Sequence, residues 1–476
     1  MRVPGGIVQP PAPHAGERAD ADGRAPESAA AHGLEPLRAG DPELYGLVAR
    51  EHRRQNATLA MDDASGVAGA AVLACGGSPL ANTPAGCGVA GAVERIAVLR
   101  ARLAFAARYA SVRPASGSAA RELVLSILLR PGDVVLAPEA DGFPSSPPGT
   151  VTVACGAGAD GRIDGEAVRR LALEHRPRVI VCGASAHPRA TDFAAFRRIA
   201  DEAGAFLLAD ISPVAALVAA GEHPSPIDHA HFTITRTRGQ LPGPRGGLVL
   251  MGRDHDAPAP VGEGTLSGAI ERTASLASPE GPDLAAIAAA ASMLAAAASA
   301  GFHEAARRAT AGARALAAGL ASRGWALVTG GTDTHLVAVD LSARGLAGAV
   351  AERALEECGM RVSRCRVPGD GRSPAAASGV RLGTHGLALR GMGPAEMARC
   401  AELVDMVLAA VRPVDDDAYE LCPAVAAMAR DEVAALCARF PIPGWSADWP
   451  PEVVSIAPPR ATAPVDPFSL PAGDAA

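Results

Sequence analysis

The chain has 476 residues, enough for a large core and more than one lobe, with 49% hydrophobic, 20% charged and only 3% aromatic residues. That balance excludes wholesale disorder, and a formal charge of -7 without a dense arginine stripe argues against a nucleic-acid surface. All 44 basic side chains are arginine, so the chain contains no lysine.

Residues 1–38 mix Pro, Gly, Ala and charges without periodicity and read as a disordered extension. A helix is predicted from Asp41-Pro42-Glu43-Leu44, with Asp41 as N-cap and Pro42 in the first turn. From about residue 100 to 250, short apolar runs alternate with helical patterns. Asp133 to Leu136, Val179 to Cys182 and Phe206 to Ala209 are the clearest strands, and a helix from Asp192 to Ala203 stops at Gly204. Such alternation predicts a mostly parallel sheet covered on both faces.

The Ala-rich stretch from Leu284 to Ala300, with Ser292 and Ser299 inside it, reads as a packed internal helix. Strands at Leu336 to Leu341 and Val380 to Leu382 then alternate with helices in a smaller α/β lobe. Beyond Trp445 the tail is rich in proline. The expected division is 1–38, 39–284 for the large domain, 285–443 for the small one, and 444–476. Nine scattered cysteines without a C-x-x-C pair predict free buried thiols in a reducing compartment, and no metal site is expected. The N-terminus lacks the apolar core of a signal peptide, so a cytoplasmic protein that does not bind membranes is expected.

Several motifs occur in order between Asp41 and about Pro443. They include Asp41-Pro42-Glu43-Leu44-Tyr45, Ile199 to Ala205 leading into Ala209-Asp210, and Gly243-Pro244-Arg245-Gly246-Gly247. Thr329 to Leu336, Ser378 to Thr384 and Cys437 to Pro441 follow. Together they resemble serine hydroxymethyltransferase, a fold-type I pyridoxal-phosphate enzyme. The resemblance implies an α/β architecture: a large lobe on a mostly parallel, seven-stranded-type sheet, and a smaller C-terminal α/β lobe. It also implies at least a dimer.

On that resemblance Ser116, Gly117 and Ser118 match a phosphate cup at a helix N-terminus, where backbone N–H groups and the helix dipole favour an anion. Asp210 matches the carboxylate paired with the pyridinium nitrogen. Ser185 lies where the family places a cofactor-contacting Ser or Thr. Arg381 matches the arginine that grips the substrate carboxylate, although a structural ion pair is an equal reading. Arg238 and Ser373 fall on possible anion- or folate-side positions.

The chemistry itself is missing. Between Thr233 and Leu241 the lysine position falls on Gly239 and the preceding histidine on Arg238. Glycine offers neither base nor nucleophile, and arginine cannot replace a Schiff-base lysine. The ring-stacking histidine aligns with Ser145, and the histidine after the cofactor aspartate with Pro213. The catalytic dimer loop shrinks to Asn82 to Val89, without its glutamate or tyrosines. The family's S-E-N falls on Ala64-Ser65-Gly66, and its glycine-rich loop on Ser278 to Pro282.

A protein inactive in serine/glycine one-carbon transfer is therefore expected, acting as a binding or regulatory partner. It would form a homo-dimer or a hetero-oligomer with a related active enzyme. The alternative is a repurposed enzyme in which pyridoxal or pyridoxamine phosphate, or another phosphate ligand, binds non-covalently. Arg238, His187 or Cys182 would then do new chemistry. Tetrahydrofolate, which the resemblance also implies, loses its role with the missing residues.

Overall fold

The computed structural model describes residues 29–62, 66–84, 87–138, 148–183, 187–260, 262–278 and 280–445. The chain opens with α1 (Ala29–Gly40), α2 (Pro42–Asn56), β1 (Leu59–Ala60), α3 (Ala70–Gly76) and α4 (Gly88–Phe105). Next come β2 (Tyr109–Ser111), α5 (Gly117–Leu128), β3 (Val134–Pro138), β4 (Val151–Cys155), α6 (Gly165–His175) and β5 (Val179–Cys182). They are followed by α7 (Phe193–Ala203), β6 (Phe206–Asp210), α8 (Ala215–Ala219), β7 (Phe232–Arg236), β8 (Gly247–Met251) and α9 (Leu266–Ala277). The rest comprises α10 (Leu284–Ala297), α11 (Ala300–Ser322), β9 (Ala326–Leu327), β10 (Leu336–Asp340), α12 (Gly348–Glu357) and β11 (Met360–Arg361). The last elements are β12 (Ser363–Cys365), β13 (Gly379–Gly383), α13 (His385–Leu389), α14 (Pro394–Ala410), β14 (Val411–Pro413), β15 (Tyr419–Leu421) and α15 (Pro423–Arg439).

Seven strands form the central sheet in the order β2-β8-β7-β6-β5-β3-β4. All run parallel except β8, which pairs antiparallel with both its neighbours. Side chains alternate between its faces, as strand geometry requires. Ile180, Leu207, Leu248 and Leu250 pack with α4, α6, α7 and α10 on one face. Val179, Val181, Leu208, Phe232, Ile234 and Val249 pack with α5 and α9 on the other. Both faces are buried, which is why these strands are almost wholly apolar.

The small lobe is built on the sheet β12-β13-β10-β9 and on α11, α12, α14 and α15. Residues 39–284 are expected in the large domain, yet β1 pairs in parallel with β11. Leu59 and Met61, both fully buried, belong to the small-lobe core. The chain thus visits the small lobe before it builds the large one.

Local chemistry explains the element ends. Asp41 Oδ1 accepts from Leu44 N at 3.0 Å. Asp192 caps α7, and Gly204 closes it in the left-handed region at φ +71°. Two expectations are corrected. The stretch read as disordered is helical from Ala29, and α1 packs against α2 and α3. The Ala-rich stretch is not one helix: Ser299 Oγ accepts from Phe302 N and starts α11 afresh, bent 75° from α10. Among the described residues no single helix is long and apolar enough to cross a membrane.

Arg390 closes the seam between the N-terminal helices and the C-terminal end. Its buried guanidinium donates to the carbonyls of Phe440 (2.6 Å), Thr58 (3.0 Å), Asn56 (3.0 Å) and Cys437 (3.1 Å). Replacing it by methionine strands several buried acceptors and is expected to cost at least about 3 kcal/mol. Arg390→Lys recovers only part, because an ammonium lacks the planar fork. Urea unfolding of the three proteins measures both.

Candidate functional site

The parallel strands β5, β6 and β7 end at Cys182, Asp210 and Arg236, and their carboxyl ends open onto the crevice where such sheets bind ligands. Ser116 caps α5: its Oγ accepts from Ala119 N at 3.0 Å. Gly247, the first residue of β8, crosses directly behind it. A Cβ on Gly247 would stand 2.2 Å from Ser116 O, and Gly247 N donates to Pro114 O at 2.8 Å. The side chain of Arg236 is rooted beside Gly117, its Cβ 3.1 Å from where a Cβ on that glycine would be. The helix N-terminus expected for a phosphate is therefore present, with a guanidinium stem at its edge and Ser118 exposed.

Asp210 ends β6 half-buried, and its Oδ1 accepts from Ser212 N at 2.9 Å, closing a tight turn. Ser212 Oγ in turn accepts from Arg236 N at 3.2 Å. Asp210 and the cup are thus joined through Ser212 and Arg236.

After β7 the chain folds back on itself. Thr237 N donates to Gly246 O (3.0 Å), Thr237 Oγ1 donates to Pro244 O (2.7 Å), and Gly243 N donates to Thr237 O (3.1 Å). Gly239 sits buried in this loop at φ +96°, a left-handed conformation that disfavours any L side chain. Gly66 lies directly against it. A Cβ on Gly66 would be 2.6 Å from Gly239 O and 2.9 Å from Gly239 N. Backbone meets backbone at this contact.

Beyond Gly239 the loop reaches the small lobe. Gln240 Nε2 lies 2.9 Å from His335 Nε2, and the His335 and His385 rings are 6.4 Å apart at 78°. All three side chains are almost fully buried. Burial first, then His385, His223, Arg236 and Arg381, depress His335 to about 3. Burial depresses His385 to about 4. The arginines at the ends of the crevice therefore act on one neutral imidazole cluster. His335 was visible only as part of a motif, and Gln240 and His385 carried no signal in the sequence.

The remaining expected residues fare unevenly. Arg381 lies in the middle of β13, opposite Ala338 and Ser363, and is half-buried. Arg238 is exposed on the loop after β7. Ser373 is exposed in a small-lobe turn, its carbonyl accepting from Ala376 N and Ala377 N. Cys182 is fully buried, and burial together with Asp210 pushes its thiol up, which rules out a ready thiolate. His187 is held neutral, at about 4, by burial and by Arg162 and Arg189. Ser185, Ser145 and Ala64-Ser65 lie outside the described residues.

Residues 153–404 match the family model described as serine hydroxymethyltransferase. Serine hydroxymethyltransferase 1 of Bordetella parapertussis is 40% identical over 428 residues, covering 86% of this chain and 96% of that protein. The chain belongs to the serine hydroxymethyltransferase family. Members of this family use pyridoxal phosphate and are commonly oligomeric. This serine hydroxymethyltransferase homologue fits the covalent form of that cofactor poorly: it has no lysine anywhere, and its Gly239 backbone is packed against Gly66.

The buried imidazoles carry a pH signature. His385 has its folded value depressed to about 4 against 6.5 for the free side chain. Its stabilising contribution is complete above about 6.5 and is lost as the pH falls toward 4. His385→Phe is expected to flatten the dependence of unfolding free energy on pH near 5 by about 1.4 kcal/mol per pH unit. Urea titrations at several pH values measure that slope, and an unchanged slope would refute the assignment.

Proposed function

We propose that this protein is a non-catalytic member of its family, inactive in serine/glycine one-carbon transfer and acting as a binding or oligomer-forming partner in the cytoplasm. The carrying observation is Gly239: it occupies the lysine register, at φ +96°, in contact with the backbone of Gly66. The general acid loop and the stacking histidine are absent from the sequence as well. By contrast, the seven-stranded sheet, the small lobe and the inter-lobe contacts persist, which supports a folded protein with a purpose other than the parent reaction.

The name of the Bordetella relative points to an active enzyme, and ordinary glycine hydroxymethyltransferase activity is the competing assignment. That reaction needs a primary amine for the cofactor, and this chain supplies none at the site. A second reading has one observation in its favour. The Ser116 cap and the close crossing of Gly247 leave the helix N-terminus shaped for a phosphate group, beside Asp210. A phosphate ligand bound there without a covalent bond would be held by the α5 N–H groups and aligned by Asp210. Saturable activity that disappears in Asp210→Ala would favour this repurposed enzyme.

The direct test is conversion of isotopically labelled serine to glycine by purified protein, with pyridoxal phosphate and tetrahydrofolate supplied. No turnover above the protein-free blank is expected. Gly239→Lys is expected not to restore it, because the new side chain inherits a left-handed backbone. Turnover by the unaltered chain would overturn the reading.

A further inference from the structure

The cysteines are expected to be buried, and six of them are: Cys155, Cys182, Cys358, Cys365, Cys400 and Cys437. Burial pushes Cys155 up to about 11 and Cys400 up to about 12, so these thiols stay protonated and shielded. The other three depart from that expectation. Cys422 is exposed at the start of α15, and Cys75 and Cys87 are only half-buried. Those last two line the same open cleft of 530 Å³ between α3 and α4, together with Ser78, Leu80 and Val89.

The surrounding chain keeps both cysteines at this cleft. Cys75 lies in the last turn of α3, where its carbonyl accepts from Ser78 Oγ at 2.8 Å and from Ser78 N at 3.3 Å. Ser78 then starts a short 3₁₀ turn, Pro79–Asn82. Cys87 directly precedes α4 with extended backbone, φ -71° and ψ 152°, and its thiol makes no capping bond. Both α3 and α4 pack on α10, so one helix holds the two ends of this loop on the same side of the large lobe. Glycines flank both cysteines, and a Cβ on Gly76 or Gly88 would meet nothing within 4 Å. The backbone beside each cysteine is thus unpacked and can adjust toward the roughly 5.5–6 Å between Cα atoms that a disulfide takes.

We propose that Cys75 and Cys87 form a reversible disulfide within the chain, a modification site oxidised by a low-molecular-weight disulfide such as glutathione disulfide. One cysteine thiolate attacks a sulfur of the oxidant, whose S–S bond breaks to release one glutathione thiolate. The second cysteine thiolate attacks its neighbour's sulfur in that mixed disulfide and expels the other glutathione. Overall the two cysteines lose two electrons and two protons, and glutathione disulfide becomes two glutathione molecules. Anchoring both ends of the loop on α10 favours the second, intramolecular step over a lasting mixed disulfide. In a reducing compartment such a bond is transient and responds to oxidation, whereas the fold stands without it.

Trypsin isolates the site, because Arg54 and Arg95 bound a peptide that contains these two cysteines and no others. Full-length protein is incubated in its native state with glutathione disulfide and then alkylated. Peptide 55–95 is expected to be lighter by two hydrogens and to carry no alkyl group. Dithiothreitol before alkylation should restore two alkylated thiols. Cys87→Ser should instead hold glutathione on Cys75, and Cys75→Ser should hold it on Cys87, with circular dichroism unchanged in both. Cys422, lowered by the backbone N–H groups of Val425 and Ala424, should take up glutathione without closing a bond. A peptide 55–95 that carries two alkyl groups or two glutathiones, or that is cross-linked to a second chain, overturns the proposal. None of these outcomes bears on serine turnover, so the site can fail while the non-catalytic reading stands.

Discussion

Close backbone packing at the carboxyl ends of the central strands is the constraint on which the rest of this molecule depends. Gly247 crosses Ser116 with no room for a side chain, and Gly66 meets Gly239 in the same way. The first contact keeps a helix N-terminus aimed into the crevice. The second leaves no room for a side chain on Gly66 against the loop that follows β7. The proposed loss of the covalent chemistry rests on these two contacts, in a scaffold that keeps a capped helix N-terminus at Ser116.

The crevice is also where the two lobes are fastened. Gln240, next to Gly239, meets His335 of the small lobe in a fully buried contact. Further out, Arg189 donates to Asp333 (3.0 Å), to Thr329 O (2.6 Å) and to Thr329 Oγ1 (3.1 Å). Asp333 N and Thr332 Oγ1 both donate to Pro188 O. Arginine suits such a junction because its planar fork satisfies several acceptors at once. In a chain without lysine, arginine performs this role at Arg189, at Arg390 and in the surface pairs alike. The imidazoles buried behind the seam are held neutral, so the junction adds no uncompensated charge to the core.

Much of the fold was legible because its signals are local. Asp41 and Pro42 start α2, Asp192 and Gly204 bound α7, and Val179 to Cys182 is the strand its apolar run implies. The helix start at Ser116 and the strand end at Asp210 were legible too, since each belongs to a motif beside an element end. What escaped depends on residues far apart in the chain. The pairing of β1 with β11 joins Leu59 to Met360. Gln240 and His335 are 95 positions apart. Ser299 was read as a residue inside a helix, because only the direction of the following chain shows that it caps a new one. Cys182 and His187 were candidates for new chemistry in the alternative reading, and burial pushes the thiol up and the imidazole down.

The central claim is that this chain cannot hold the family cofactor covalently at its crevice. Borohydride reduction of the protein after incubation with pyridoxal phosphate, followed by peptide mass mapping, tests it most directly. The account predicts no phosphopyridoxyl adduct on any peptide spanning residues 233–247 or lining the crevice. A stoichiometric adduct within that region would contradict it.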